Sequence, residues 1–273
     1  MRASEAAEII EERTGKEVAV CSLVGSRNYN LQTDGSDHDF TAFVVPTAED
    51  MYERSEYFKE MKGDGWEINV YDLRRIPELL RRSNPAALEY AFSEDRVMCR
   101  EMEDLLYGNR ERIAGMNLPY LFNSAVGASI HKMNTLEKGT VSTQHLVEKY
   151  GYDTKQGTHA MRLLYMLQWY AEDGVFETAL RYGGTATGRE RREFLLSIRS
   201  GRFTLEEMKE TIRSKKEEIE ERFKQRYLDA EADTEMMDVV RTEVKNFILG
   251  RFCPQETSIG ERMYKEKKGC GKI

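Results

Sequence analysis

The sequence predicts an α+β protein, with a small mixed β-sheet domain at residues 1–115 and a helical domain at residues 116–273. Three observations lead there. Short β-rich runs bounded by glycine or polar turn residues are confined to roughly the first 72 residues. From about residue 118 onward nearly every stretch has helical period. Between them, Asn84-Pro85 marks a helix start, with Asn as N-cap and Pro at the first helical position.

The elements follow in order. Residues 3–13 form an amphipathic helix, with Ala6, Ile9 and Ile10 on one face and Glu5, Glu8, Glu11 and Glu12 elsewhere, stopped by Gly15. Residues 17–24 are a short buried strand, and residues 37–45 alternate well enough for a second. Residues 54–61 and 65–71 are two more strands, joined through the turn Lys62-Gly63-Asp64-Gly65. In the latter, Ile68 and Val70 point to one face and Glu67, Asn69 and Tyr71 to the other. Leu73–Arg82 is a helix with Leu73, Ile76, Leu79 and Leu80 as its apolar stripe. Leu163, Leu164, Met166, Leu167 and Trp169 are core, and residues 204–228 form a long helix laced by Glu/Lys pairs at i, i+4. The Lys- and Gly-rich run Lys265–Ile273 is a frayed tail.

Composition excludes several classes. No stretch approaches the roughly 18 apolar residues of a membrane span. The start Met1-Arg2-Ala3-Ser4-Glu5 has no apolar segment behind it and predicts no secretion signal. Cys21, Cys99, Cys253 and Cys270 have neither zinc-site nor redox-motif spacing, which predicts a reduced, cytoplasmic setting. His38, His131, His145 and His159 contain no H-E-x-x-H pair, which excludes a zinc protease on motif grounds. No Arg precedes a His at the spacing of helical toxin nucleases. The net charge of −7 means that any nucleic-acid contact must come from a local patch.

The chemistry concentrates in Leu23-Val24-Gly25-Ser26, closing one strand, and Ser36-Asp37-His38-Asp39-Phe40, opening the next. Asp37 and Asp39, at i and i+2, project from one face. Two carboxylates held that close ionise together only with cations between them, and Mg²⁺ fits that need. Glu67 supplies a third carboxylate, and three on adjacent strands can hold two metals about 3.5–4 Å apart. Gly25 lets a phosphate approach the backbone, Ser26 adds a hydroxyl donor, and the following residues can open a helix toward the anion. The loop is not a Walker A motif.

Structural readings stand beside these. Asp37 and Asp39 also suit a turn and a strand start, and Ser26 can cap a helix. Glu67 competes with Asp72, which reads more simply as an N-cap. His38 points to the opposite strand face and suits a packing role. Tyr152, Lys155, His159 and Arg162 fall at i, i+3, i+7 and i+10, one helical face, which can be simple solvation. Arg181, Arg189, Arg191, Arg192, Arg199 and Arg202 form the densest basic region, either a solvated face or a track for a polynucleotide backbone.

The run Gly25-Ser26-Arg27-Asn28-Tyr29-Asn30-Leu31 followed by Ser36-Asp37-His38-Asp39 resembles the DNA polymerase β-like nucleotidyltransferase superfamily. The likeness extends to its RlaP-type, RNA-repair branch. Glu67-Ile68-Asn69-Val70-Tyr71-Asp72-Leu73 resembles that branch's third-carboxylate strand, with Glu where the superfamily usually has Asp. Asn84-Pro85-Ala86-Ala87-Leu88-Glu89-Tyr90 is similar to its NP-x-x-LE helix. Tyr152-Asp153-Thr154-Lys155, His159 and Arg162-Leu163-Leu164 are similar to its YDxK…H…RLL helix, and Ile198-Arg199-Ser200-Gly201 to its IR-x-G segment.

The resemblance implies a polymerase β-like sheet domain whose helical partner closes over a nucleotide. It implies transfer of a nucleoside monophosphate from an NTP to an acceptor hydroxyl with release of pyrophosphate. Asp37, Asp39 and Glu67 are then the catalytic carboxylates and the ligands of two Mg²⁺ (or Mn²⁺) ions. Gly25 and Ser26 hold the leaving phosphates, and Arg27 is a further nucleotide-binding residue. Lys155, Arg162 and His159 face the triphosphate, and Tyr152 packs on the base. The acceptor it implies is an RNA or tRNA 3′ end. Protein nucleotidylation of the AMPylation type, with a protein acceptor, is one alternative, and a silent nucleotide-binding or antitoxin-like module is another.

Overall fold

A five-stranded mixed sheet occupies the N-terminal part of the chain, and helices pack against both of its faces. The computed structural model describes residues 1–252, so Cys253, Cys270 and the Lys265–Ile273 run lie outside the described residues.

Helix α1 (Ala3–Thr14) buries Ala3, Ala6, Ala7 and Ile10 and ends at Gly15. Strand β1 (Val18–Val24) runs into the short helix α2 (Gly25–Asn28), and β2 (His38–Val44) returns antiparallel to β1. Helix α3 (Ala48–Glu53) comes next, before β3 (Phe58–Gly63) and β4 (Trp66–Asp72). The expected strand at 54–61 therefore begins only at Phe58. The reason is a capping box: Thr47 Oγ1 accepts from Asp50 N, and Asp50 Oδ2 accepts from Thr47 N at 2.7 Å. The hairpin turns at Asp64-Gly65, with Gly65 at φ +70°.

The predicted helix Leu73–Arg82 divides into a 3₁₀ turn (Leu73–Arg75) and α4 (Ile76–Arg81). Pro77 has no N–H to return to Leu73, so the first turn tightens and Ile76 N bonds that carbonyl instead. Asn84 Oδ1 caps α5 (Pro85–Leu88) through Ala86 N at 3.0 Å, and a 3₁₀ turn (Glu89–Phe92) follows. Strand β5 (Arg96–Met98) is too short to show alternation and was not expected.

The strand order is β3-β4-β2-β1-β5, with β2 and β4 parallel and the other pairs antiparallel. On one face, Phe40, Ala42, Val44, Ile68 and Val70 pack with α1. On the other, Val20 and Phe43 join a larger core.

Short helices α6 (Arg100–Met102) and α7 (Arg110–Gly115), with a π-helical turn between them, lead to the remaining helices. These are α8 (Leu118–Asn134), α9 (Gln144–Tyr150), α10 (Thr154–Asp173), α11 (Phe176–Leu180), α12 (Ala186–Arg199), α13 (Leu205–Leu228) and α14 (Thr234–Phe252). Helix α10 is buried along most of its length, including Leu163, Leu164, Met166, Leu167 and Trp169. The larger core runs without a break from the sheet to α14, so both halves of the chain share it. Among the described residues no helix is long and apolar enough to cross a membrane.

Candidate active site

One rung of the sheet carries the predicted carboxylates. Asp39 pairs with Val24 across the antiparallel β1–β2 ladder and with Glu67 across the parallel β2–β4 ladder. Residues two apart share a face, so Asp39 lies on the side of Phe43, facing the helical half. Asp37 is exposed, just ahead of β2.

Gly25 follows Val24 at φ +72°, a conformation costly for any residue with a side chain. A Cβ there would lie 2.7 Å from Asp39 Oδ2. Both facts require glycine, and together they place the Gly25–Ser26 turn against the Asp39 carboxylate. Ser26 is half-buried and sits inside α2, whose N-cap is Val24 without a side-chain bond, so the capping reading of Ser26 is corrected. Arg27 donates to the carbonyls of Ser36 (2.7 Å) and Asp37 (3.2 Å), bracing the loop that presents Asp37.

Burial holds the Asp39 carboxyl above its ordinary range. Lys155 of α10 opposes that rise, while the charges of Glu67 and Asp37 add to it. Among the described residues none donates a hydrogen bond to the Asp39 carboxylate. Glu67 is engaged by Lys62 Nζ at 3.2 Å and by Asn69 Nδ2 at 3.4 Å. Among the described residues no three His, Cys, Asp or Glu side chains close into a metal cage. The donor chemistry nevertheless fits a hard divalent cation: three carboxylates, on one rung and two residues before it, with mutual repulsion felt at Asp39.

Asp72 stands at the far end of β4, opposite Val44. It caps the 3₁₀ turn through Arg74 N at 2.9 Å and pairs with the Arg74 guanidinium at 2.6 Å. His38 donates its backbone N–H to Gly65, and burial, then the nearby Arg27 charge, hold its imidazole below the usual range.

The predicted face Tyr152–Arg162 divides. Tyr152 precedes the N-cap Asp153, is fully buried, and has a hydroxyl without a partner among the described residues. Stacking of Tyr152 on a base is therefore corrected: its ring belongs to the core. Lys155 is half-buried and acts on Asp39. Burial, then the Arg162, Lys132 and Lys155 charges, hold the His159 imidazole well below its ordinary pKa. Arg162 is 6% exposed, lies 3.8 Å over the Tyr29 ring, and pairs with Glu89 at 3.4 Å.

The basic stretch is largely consumed internally. Arg181 bonds Glu94 and the Phe92 carbonyl, Arg191 lies 3.6 Å over Trp169, and Arg192 donates to the Asn30 carbonyl at 2.6 Å. Burial depresses Arg199. Arg189 and Arg202 stay exposed, which is short of a continuous track. These contacts border a crevice of about 900 Å³ between the halves, lined by Arg27, Asn28, Trp169, Arg181, Gly184 and Arg191 among others.

Two residues given no role in the sequence reading belong to this region. Glu89 is 5% exposed, and one of its oxygens accepts from Gly25 N at 3.3 Å. Burial pushes its carboxyl up to about 7, with Arg162 and the Gly25 amide pulling the other way. A single charge inside Leu88-Glu89-Tyr90-Ala91-Phe92 is a legible sign of a buried, partnered carboxylate. Lys132 of α8 bonds Gln156 at 2.9 Å, and burial, then Arg162, lower its ammonium.

A family model for RlaP, described as RNA repair pathway DNA polymerase beta family, matches residues 1–249. None of the curated proteins matches the chain.

Proposed function

Because the chain belongs to the RNA repair pathway DNA polymerase beta family, we propose that it moves a nucleoside monophosphate from an NTP to the 3′ hydroxyl of an RNA, a tRNA among the candidates. Family membership implies nucleotidyl transfer at the general level. The observation that carries the finer reading is the Gly25–Ser26 turn lying against Asp39, with Glu67 on the same rung.

Asp37, Asp39 and Glu67 are the residues that would hold Mg²⁺ or Mn²⁺, since an all-oxygen donor set suits hard cations. Bound there, two such ions would offset phosphate charge and lower the pKa of the attacking hydroxyl. Glu67 can turn from Lys62 at little cost, because solvent-exposed ion pairs contribute little to stability. The absent side chain of Gly25 lets the turn's backbone come up against the Asp39 carboxylate, where a phosphate held by the turn would share a cation with it. The Gly25 amide is already taken by Glu89, so the Ser26 hydroxyl is the donor this turn would offer the leaving phosphates. Lys155, with Lys132 behind it, supplies positive charge from the helical side. The acceptor hydroxyl gives its proton to solvent, its oxygen bonds the α-phosphorus, the bond to the bridging oxygen breaks, and pyrophosphate departs with the electron pair.

The test uses purified protein with Mg²⁺ or Mn²⁺, each α-³²P-labelled NTP in turn, and total RNA. The Asp37→Ala/Asp39→Ala double variant runs alongside. Label entering RNA with the wild type alone is the expected result. Label entering only protein redirects the reading to protein nucleotidylation. Nucleotide binding without any transfer overturns it in favour of a silent module.

A further inference from the structure

A buried ion pair joins the two halves of the chain behind the Gly25–Ser26 turn. Glu89 comes from the sheet half and Arg162 from α10, and both are almost fully removed from solvent. One Glu89 oxygen receives Arg162 Nη2 at 3.4 Å, and the other receives the Gly25 amide at 3.3 Å. The Glu89 backbone carbonyl accepts from Asn28 Nδ2 at 3.4 Å. One residue therefore grips both ends of α2, the element that follows β1 and abuts Asp39.

This arrangement is a poor source of stability. Its hydrogen bonds are long, and Arg162 Nε and Nη1 are buried without a partner among the described residues. Removing two charges from water often costs as much as their attraction returns, and an apolar pair of similar size commonly holds two elements together as well. What an apolar pair lacks is direction: it cannot fix one amide of one turn. The Gly25 amide bonds Glu89, which Arg162 of the helical half holds in turn, on a turn where a single added Cβ would strike Asp39.

We propose that Glu89 is a positioning residue for the transfer reaction: held by Arg162, its carboxylate anchors the Gly25 amide and thereby sets the turn against Asp39. The proposal rests on the reading under Proposed function. It adds a role for a residue that touches neither nucleotide nor metal in that reading.

Two variants test it. Glu89→Gln keeps size and shape but removes the charge that Arg162 and the Gly25 amide share. Glu89→Leu/Arg162→Met replaces the pair by apolar side chains and is expected to melt at or above the wild-type temperature. Exchange of the Gly25 amide with solvent, followed by NMR in the nucleotide-free protein, is expected to accelerate in both. In Glu89→Gln, kcat is expected to fall about 10²-fold, the scale of a small misplacement of a reacting group. KM for the nucleotide stays within about threefold, since uniform binding is untouched. An unmoved Gly25 amide, or a folded double variant with wild-type kcat, overturns the role of Glu89. A wild type with no transfer at all overturns the underlying reading and this role with it, even where amide exchange still shows the anchor.

Discussion

The two ends of the β2–β4 ladder carry buried or half-buried aspartates in opposite circumstances. At the far end Asp72 is fully buried, yet it receives Arg74 N, the Arg74 guanidinium and Tyr57 N. At the near end Asp39 is partly buried, faces two other carboxylates, and receives no donor among the described residues. A buried polar group is normally satisfied by the protein that buries it. Asp72 obeys that rule and is structural. Asp39 stays partly open to solvent with no protein donor, and a carboxylate raised by burial and by like charges, packed against a glycine turn, is a functional-site signature.

The largest effect should separate these two aspartates. Asp39→Asn is expected to lower transfer by about 10³-fold or more while leaving the melting temperature unchanged or higher. Asp72→Asn is expected to cost about 3 kcal/mol of stability, because Arg74 loses its charge partner, while the folded fraction keeps its activity. Thermal melts together with transfer rates per folded molecule check both. Equal losses of activity would erase the distinction.

Gly25→Ala sharpens the near end. Its φ of +72° and the 2.7 Å approach to Asp39 predict a loss of about 1–3 kcal/mol in stability, with kcat falling further than the folded fraction. Denaturant titration beside steady-state kinetics reads the two separately.

The smallest effect concerns Glu89, whose carboxyl burial raises to about 7 while Arg162 of α10, Lys132 of α8 and the Gly25 amide oppose the rise. Its folded pKa lies above the ordinary glutamate value of about 4.3. The folded state therefore holds more protons than the unfolded chain across that interval, and stability falls as pH rises through it. Glu89→Gln removes this group's contribution. The variant is expected to show a flatter stability curve between about pH 4.5 and pH 7, measured by urea unfolding at fixed ionic strength.

Much of the near end was legible in the chain. Gly25-Ser26, Asp37 and Asp39 were readable because strand alternation and a glycine turn are local properties, set within a few residues. Asn84-Pro85 and the Thr204 helix start were readable for the same reason. The capping box that makes α3 is equally local, in Thr47-Ala48-Glu49-Asp50. Strand β5 left no signal, since three residues cannot display a period and its pairing partner lies some 75 positions earlier in the chain. Spacing placed Tyr152 on a helical face with Lys155, but the helix begins after it and the core takes its ring.

The sequence alone determined which residues could do chemistry: two carboxylates two apart at a strand start, a glycine before a serine, and the order of sheet and helices. Alternation and propensity act over neighbouring residues, so they are written in the chain. Tertiary structure alone decided which of those residues meet. It set Asp39 beside Glu67 through parallel register, and turned Arg162 inward to Glu89 and Tyr29. It also spent Arg181, Arg191 and Arg192 on intramolecular contacts instead of a solvent-facing track. Burial and pairing of charges depend on what arrives from distant segments, because desolvation is a property of the packed neighbourhood rather than of the residue.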